Sequence, residues 1–145
     1  MPASGGSRFY RVAALPAFTS LSQPGTVSAY AASNISGLNT VGYAGAVFDG
    51  RYVYFVPYQD GTSVHGRVLR YDTQGEYSDA SSWMAYDASG TGTGGAVGYT
   101  GGEYDGRYLY FAPYRNTNNL HGIVLRFDGR LPRGIPPTIT GGSNL

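Results

Sequence analysis

The sequence predicts an all-β chain made of repeated four-stranded antiparallel sheets, and three observations carry that prediction. A unit of 56 residues recurs without a gap. Each copy places an Asp-Gly hairpin signal between short apolar runs of strand length. No segment sustains a helical period, and Gly90, Gly92, Gly94 and Gly95 would interrupt one.

The repeat is read directly. Asp49-Gly50-Arg51-Tyr52-Val53-Tyr54-Phe55-Val56-Pro57-Tyr58 returns 56 residues on as Asp105-Gly106-Arg107-Tyr108-Leu109-Tyr110-Phe111-Ala112-Pro113-Tyr114. Downstream, His65-Gly66-Arg67-Val68-Leu69-Arg70-Tyr71-Asp72 matches His121-Gly122-Ile123-Val124-Leu125-Arg126-Phe127-Asp128. The same offset pairs Ala29-Tyr30 with Ala85-Tyr86, and Arg11-Val12 with Arg67-Val68, so the chain enters partway through a repeat.

Taken in order, residues 1–25 form an N-terminal arm with a degenerate strand at Phe9 to Leu15. A lone fourth-type strand follows near Thr26 to Tyr30. One full repeat then reads as strands at Ala44 to Phe48, Tyr52 to Pro57, Arg67 to Tyr71 and Ser82 to Tyr86. Asp49-Gly50 and Asp105-Gly106 suit a two-residue type I′ turn, which makes the first two strands a hairpin. The run Tyr52 to Tyr58 is apolar on both faces, which requires a cover on each side. The second copy supplies three strands and ends at Asp128. Residues 129–145 are a tail containing Pro132, Pro136 and Pro137, a composition unsuited to an interior strand and suited to a surface or docking role.

These blocks, an inner strand, the Asp-Gly-Arg-Tyr strand, the His-Gly-Arg-Val strand and a Ser82-Trp83 outer strand, resemble the blades of bacterial and phage β-propeller proteins over roughly residues 27 to 128. The resemblance implies β-propeller blades, about two per chain, and leaves function open. Two blades do not close a ring. If the fourth strand missing from the last blade comes from the next chain's N-terminal strand, identical chains close head to tail. Three copies then give six blades and four give eight. The homotrimer is the favoured reading, with a tetramer as the alternative.

Composition narrows the function. All ten basic residues are arginine and scattered, with a formal net charge of +1, which argues against general nucleic-acid binding. Residues 1–7 lack the basic-then-apolar pattern of a secretory signal, and no apolar run reaches the ~20 residues of a membrane span. Cysteine is absent. The charged fraction of 13%, with 23 glycines and 14 tyrosines, is the balance of many virion and surface β proteins. The expectation is therefore a soluble, non-enzymatic structural protein: a phage head or tail decoration or fibre component assembled in the host cytoplasm. The alternative is an oligomeric carbohydrate-binding lectin, cytoplasmic or released.

Candidate chemistry is sparse. His65 and His121 lie one period apart, without carboxylates at ligand spacing, and read as structural. The glycine pattern at residues 90–95 matches a phosphate loop in form alone, since no helix follows and lysine is missing. Glu76 and Glu103 lack counterparts in the other copy, which disfavours paired-carboxylate catalysis. Asp49, Asp72, Asp105 and Asp128 read as turn residues, with Arg70 and Arg126 as local ion partners. No cofactor or metal is expected. The loops after Tyr58 and Tyr114 are where the copies diverge, and an aromatic platform beside polar acceptors suits a sugar. Candidate binding residues are Tyr58, Asp60, Tyr114, Asn116 and Asn118, with Trp83 as a further aromatic whose packing role weighs more.

Overall fold

The computed structural model describes residues 21–129, and within them the chain is all-β apart from a single 3-10 turn at Ala80–Ser82. The arm strand expected at residues 9–15 and the tail from residue 131 lie outside the described residues. A short hairpin, β1 (Asn34–Ile35) and β2 (Leu38–Asn39), comes first. A four-stranded meander follows: β3 (Tyr43–Phe48), β4 (Tyr52–Pro57), β5 (Arg67–Asp72) and β6 (Trp83–Asp87), in that spatial order. The third sheet has three strands, β7 (Tyr99–Tyr104), β8 (Tyr108–Pro113) and β9 (Leu125–Asp128). All neighbours are antiparallel. Each expected strand of the full repeat is present to within a residue at its ends.

Three expectations are corrected. The strand at Thr26 to Tyr30 is absent: these residues join no ladder in the single chain, because a strand needs a partner for its backbone groups. The Asp-Gly turns are not type I′. The central pairs are Gly50-Arg51 and Gly106-Arg107, and only Gly50 (φ 100°) and Gly106 (φ 93°) are positive, the sign pattern of type II′, while Asp49 and Asp105 accept from the backbone N–H groups two and three residues on. The pattern of two positive φ values belongs to Ser36-Gly37, between β1 and β2. Finally, Arg70 and Arg126 are not the ion partners of the repeated aspartates. Arg51 makes a two-pronged bond to Asp72, at 2.9 and 2.6 Å, and Arg107 lies 3.7 Å from Asp128. The Arg70 and Arg126 guanidinium groups instead lie over the rings of Tyr52 and Tyr108, at 4.2 and 4.3 Å.

The core sits between the two larger sheets. One face of β4 presents Tyr52, Tyr54 and Val56, all buried, and β8 answers with Leu109 and Phe111. Tyr54 packs its ring 5.4 Å from Phe127 of β9. Each fully buried aliphatic here contributes about 1.5–3 kcal/mol. The other face of the first sheet, with Phe55, Leu69 and Trp83, forms a second cluster with Tyr30, Ala32 and Ile35. Both faces of β4 are therefore covered, as its composition requires.

Candidate functional site

Tyr58 and Tyr114 stand at equivalent places, one residue beyond Pro57 and Pro113, and their rings meet at 6.1 Å with 45° between planes. Their position is set by glycine. Tyr58 N donates to Gly42 O at 3.0 Å and Tyr114 N to Gly98 O at 3.1 Å. A Cβ on Gly42 would stand 1.7 Å from the Gln59 carbonyl oxygen, and one on Gly98 1.8 Å from that of Arg115. Only glycine permits that approach, and both also have positive φ.

The loops beyond are closed by their own side chains. Asp60 accepts from the backbone of Thr62 and Ser63, at 3.0 Å each, and from Arg67 at 2.6 Å. The Ser63 N–H, then Arg67, then the Thr62 N–H hold this carboxyl far below the usual carboxylate range. Asn116 repeats the turn with Asn118 and Asn119, at 3.2 and 2.9 Å. The structure thus brings Tyr58 and Tyr114 together, with Asp60 and Asn116 shaping the loops beside them and Asn118 exposed. Trp83 lies apart, opposite Tyr71 in the ladder and buried, with its indole N–H donating to Tyr77 O at 3.0 Å.

The histidines are anchored in the framework. His65 Nδ1 accepts from Arg67 N, which leaves its Nε2–H to donate to Val41 O at 2.8 Å; His121 does the same with Ile123 N and Val97 O. Burial, with Arg67 nearby, lowers the His65 pKa. Glu103 lies on β7 across from Tyr110, and is exposed. Among the described residues no group of three or more histidines and acids is arranged to hold a metal. No helix there is long and apolar enough to cross a membrane.

A second kind of site lies in the inequality of the two repeats. Tyr52, Tyr54 and Val56 are 6%, 3% and 0% exposed, whereas their equivalents Tyr108 and Tyr110 are half-buried and Ala112 is exposed. β5 is flanked by β4 and β6, but β9 pairs with β8 alone among the described residues. As a result Ile123 and Val124, whose counterparts Arg67 and Val68 pair with Asp87 and Tyr86, stay outside the ladder, and Val124 is 58% exposed. The last sheet therefore offers an open face and an open edge where the first is covered. The apolar face and the aromatic cage around Trp83 escaped notice in the sequence, though the 56-residue offset was the signal that marks them. No protein-family model, curated protein or solved structure matches the chain.

Proposed function

We propose that the chain is a non-enzymatic assembly protein that joins copies of itself head to tail into a closed β-propeller. The observation that carries this is the pair of unequal sheets. The face of the last sheet bearing Tyr108, Tyr110 and Val124 repeats a face that is buried inside the chain, and the chain holds no further sheet among its described residues to cover it. Another copy offers the matching surface, and a heterologous contact of this kind generates a ring. Three copies close six blades and four close eight, with three favoured.

The likeness of the repeat to phage and bacterial propeller blades, with its low charge and high tyrosine content, supports a virion setting: a decoration or fibre component of head or tail, assembled in the host cytoplasm and held to other virion proteins through its termini. The Tyr58–Tyr114 pair supports a second reading, an oligomeric lectin whose paired rings take the C–H face of a sugar. Absolute mass by light scattering tests the first proposal. Against 15.4 kDa per chain, a mass of three or four chains is expected, and a stable monomer overturns it. Retention on particles, against binding to a glycan array that Tyr58→Ala and Tyr114→Ala abolish, separates the two settings.

A further inference from the structure

Trp83 is enclosed by the rings of Tyr71 at 4.7 Å, Tyr30 at 5.2 Å and Phe55 at 6.1 Å, with Leu69 in the same cluster. Moved forward by one repeat, those four neighbours become Phe127, Tyr86, Phe111 and Leu125. All four line one small apolar pocket between the two larger sheets. The cavity is thus the counterpart of the Trp83 socket, and it lies beside the open edge of β9. What fills the first socket is a side chain of β6, a fourth strand paired to β5.

The chain contains another segment of that type. Thr26 to Tyr30 repeats Ser82 to Tyr86, ending in the same Ala-Tyr pair. It joins no ladder, and Val27, at the position of Trp83, is 69% exposed. Tyr30 already packs against the first sheet at Trp83, as Tyr86 of β6 flanks the second. The segment therefore sits where a fourth strand sits relative to the next sheet, and no strand precedes it among the described residues. It cannot reach β9 of its own chain, because the first sheet stands between them.

We propose that residues 26–30 of a second copy add to β9 as its fourth strand, with Val27 of that copy filling the apolar cavity. This rests on the reading of the chain as a self-assembling propeller and specifies its joint. The register follows from β5 and β6, where Tyr71 faces Trp83, Arg70 faces Met84 and Leu69 faces Ala85. Phe127 then faces Val27, Arg126 faces Ser28, and Leu125 faces Ala29. The added strand satisfies the backbone edge of β9, and the buried side chain supplies selectivity.

The absence of cysteine makes the joint testable by cross-linking. Facing residues of antiparallel strands lie about 4.5–5.5 Å apart at Cα, within disulfide reach. The double variant S28C/R126C, gently oxidised, is expected to give covalent oligomers up to ring size on a denaturing gel, dispersed by reductant. A 1:1 mixture of the two single variants should give covalent dimers only. Val27→Asp is expected to reduce the mass to one chain while the Trp83 emission stays native, since the exposed wall of that pocket is almost wholly apolar and burying a carboxylate against it is costly. An assembly of three or four chains that forms no cross-link, or that survives Val27→Asp, overturns the strand donation and leaves the ring reading standing. A disulfide confined to single chains in R126C/T140C, with none between chains in S28C/R126C, assigns the strand to the chain's own residues 138–142 and also overturns it. A monomeric wild-type protein removes both.

Discussion

The ring of Tyr30 stacks on Trp83 at 5.2 Å with 19° between planes, although the two are more than fifty residues apart. This contact ties the segment before β1 to the outer strand of the first sheet. The rest of the cage, Phe55, Tyr71 and Tyr77, comes from the first sheet and the loop before β6.

Removing the centre of that cage should be costly. Trp83→Ala is expected to lower unfolding free energy by about 3–5 kcal/mol, as for other large-to-small changes in cores. Tyr30→Ala should cost less, about 1–2 kcal/mol, from the lost ring contact and some apolar area. Urea unfolding followed by circular dichroism checks both. Equal costs would mean that the segment is anchored by more than the ring.

The glycines divide into two kinds, and alanine substitution should separate them. At Gly50 an added Cβ meets nothing within 4 Å, so the penalty of Gly50→Ala is the positive φ alone, about 1–2 kcal/mol. At Gly42 and Gly98 the Cβ would overlap a carbonyl oxygen of the following loop, and the main chain has to move. Gly42→Ala or Gly98→Ala should exceed about 4 kcal/mol or abolish the folded state. Soluble yield and denaturant midpoints decide the matter.

His65 should make stability depend on pH. Burial, with Arg67 secondary, pulls its pKa below the ordinary 6.5, and the Val41 and Gly42 carbonyls only partly oppose this. With the folded pKa depressed, the unfolded chain takes up the proton first. The stabilisation is fully present above pH 6.5 and is lost as pH falls through the folded-state value. Melting temperature should decline as pH drops below 6.5, and His65→Gln should flatten that part of the curve. An unchanged slope in the variant would assign the decline to other groups.

Asp60 and Arg67 form an ion pair in the first repeat, and their equivalents in the second are Asn116 and Ile123. The second repeat keeps the loop turn without the charges. Asp60→Asn with Arg67→Ile should therefore be better tolerated than the two single changes predict in sum. A double-mutant cycle by thermal unfolding measures this, and an additive result would mean that the pair is not coupled.

Much of this protein was legible in the sequence because the repeat reports on packing twice. The 56-residue offset located the strands of the full sheet, since hairpin signals and apolar runs act locally. The doubly apolar run from Tyr52 marked the strand that is covered on both faces. The sequence also offered Tyr58 and Tyr114 at equivalent loop positions, while their contact came only from the stacking of the two sheets.

What local signals could not decide was left to tertiary structure. Asp49-Gly50 suits two turn types, and the choice fell to the Asp49 carboxylate accepting from Arg51 and Tyr52. Arg70 has both an aspartate and a tyrosine within reach along the strand, and only the packed sheet sets its guanidinium over Tyr52 and gives Asp72 to Arg51. Thr26 to Tyr30 has the composition of a strand, but a strand is a relation between two chains of hydrogen-bonding groups. Its state depends on whether another edge is present, which no single segment encodes. The cavity beside β9 follows from the same cause: the repeat specifies a socket in every sheet, while the three-dimensional arrangement determines which socket its own chain fills.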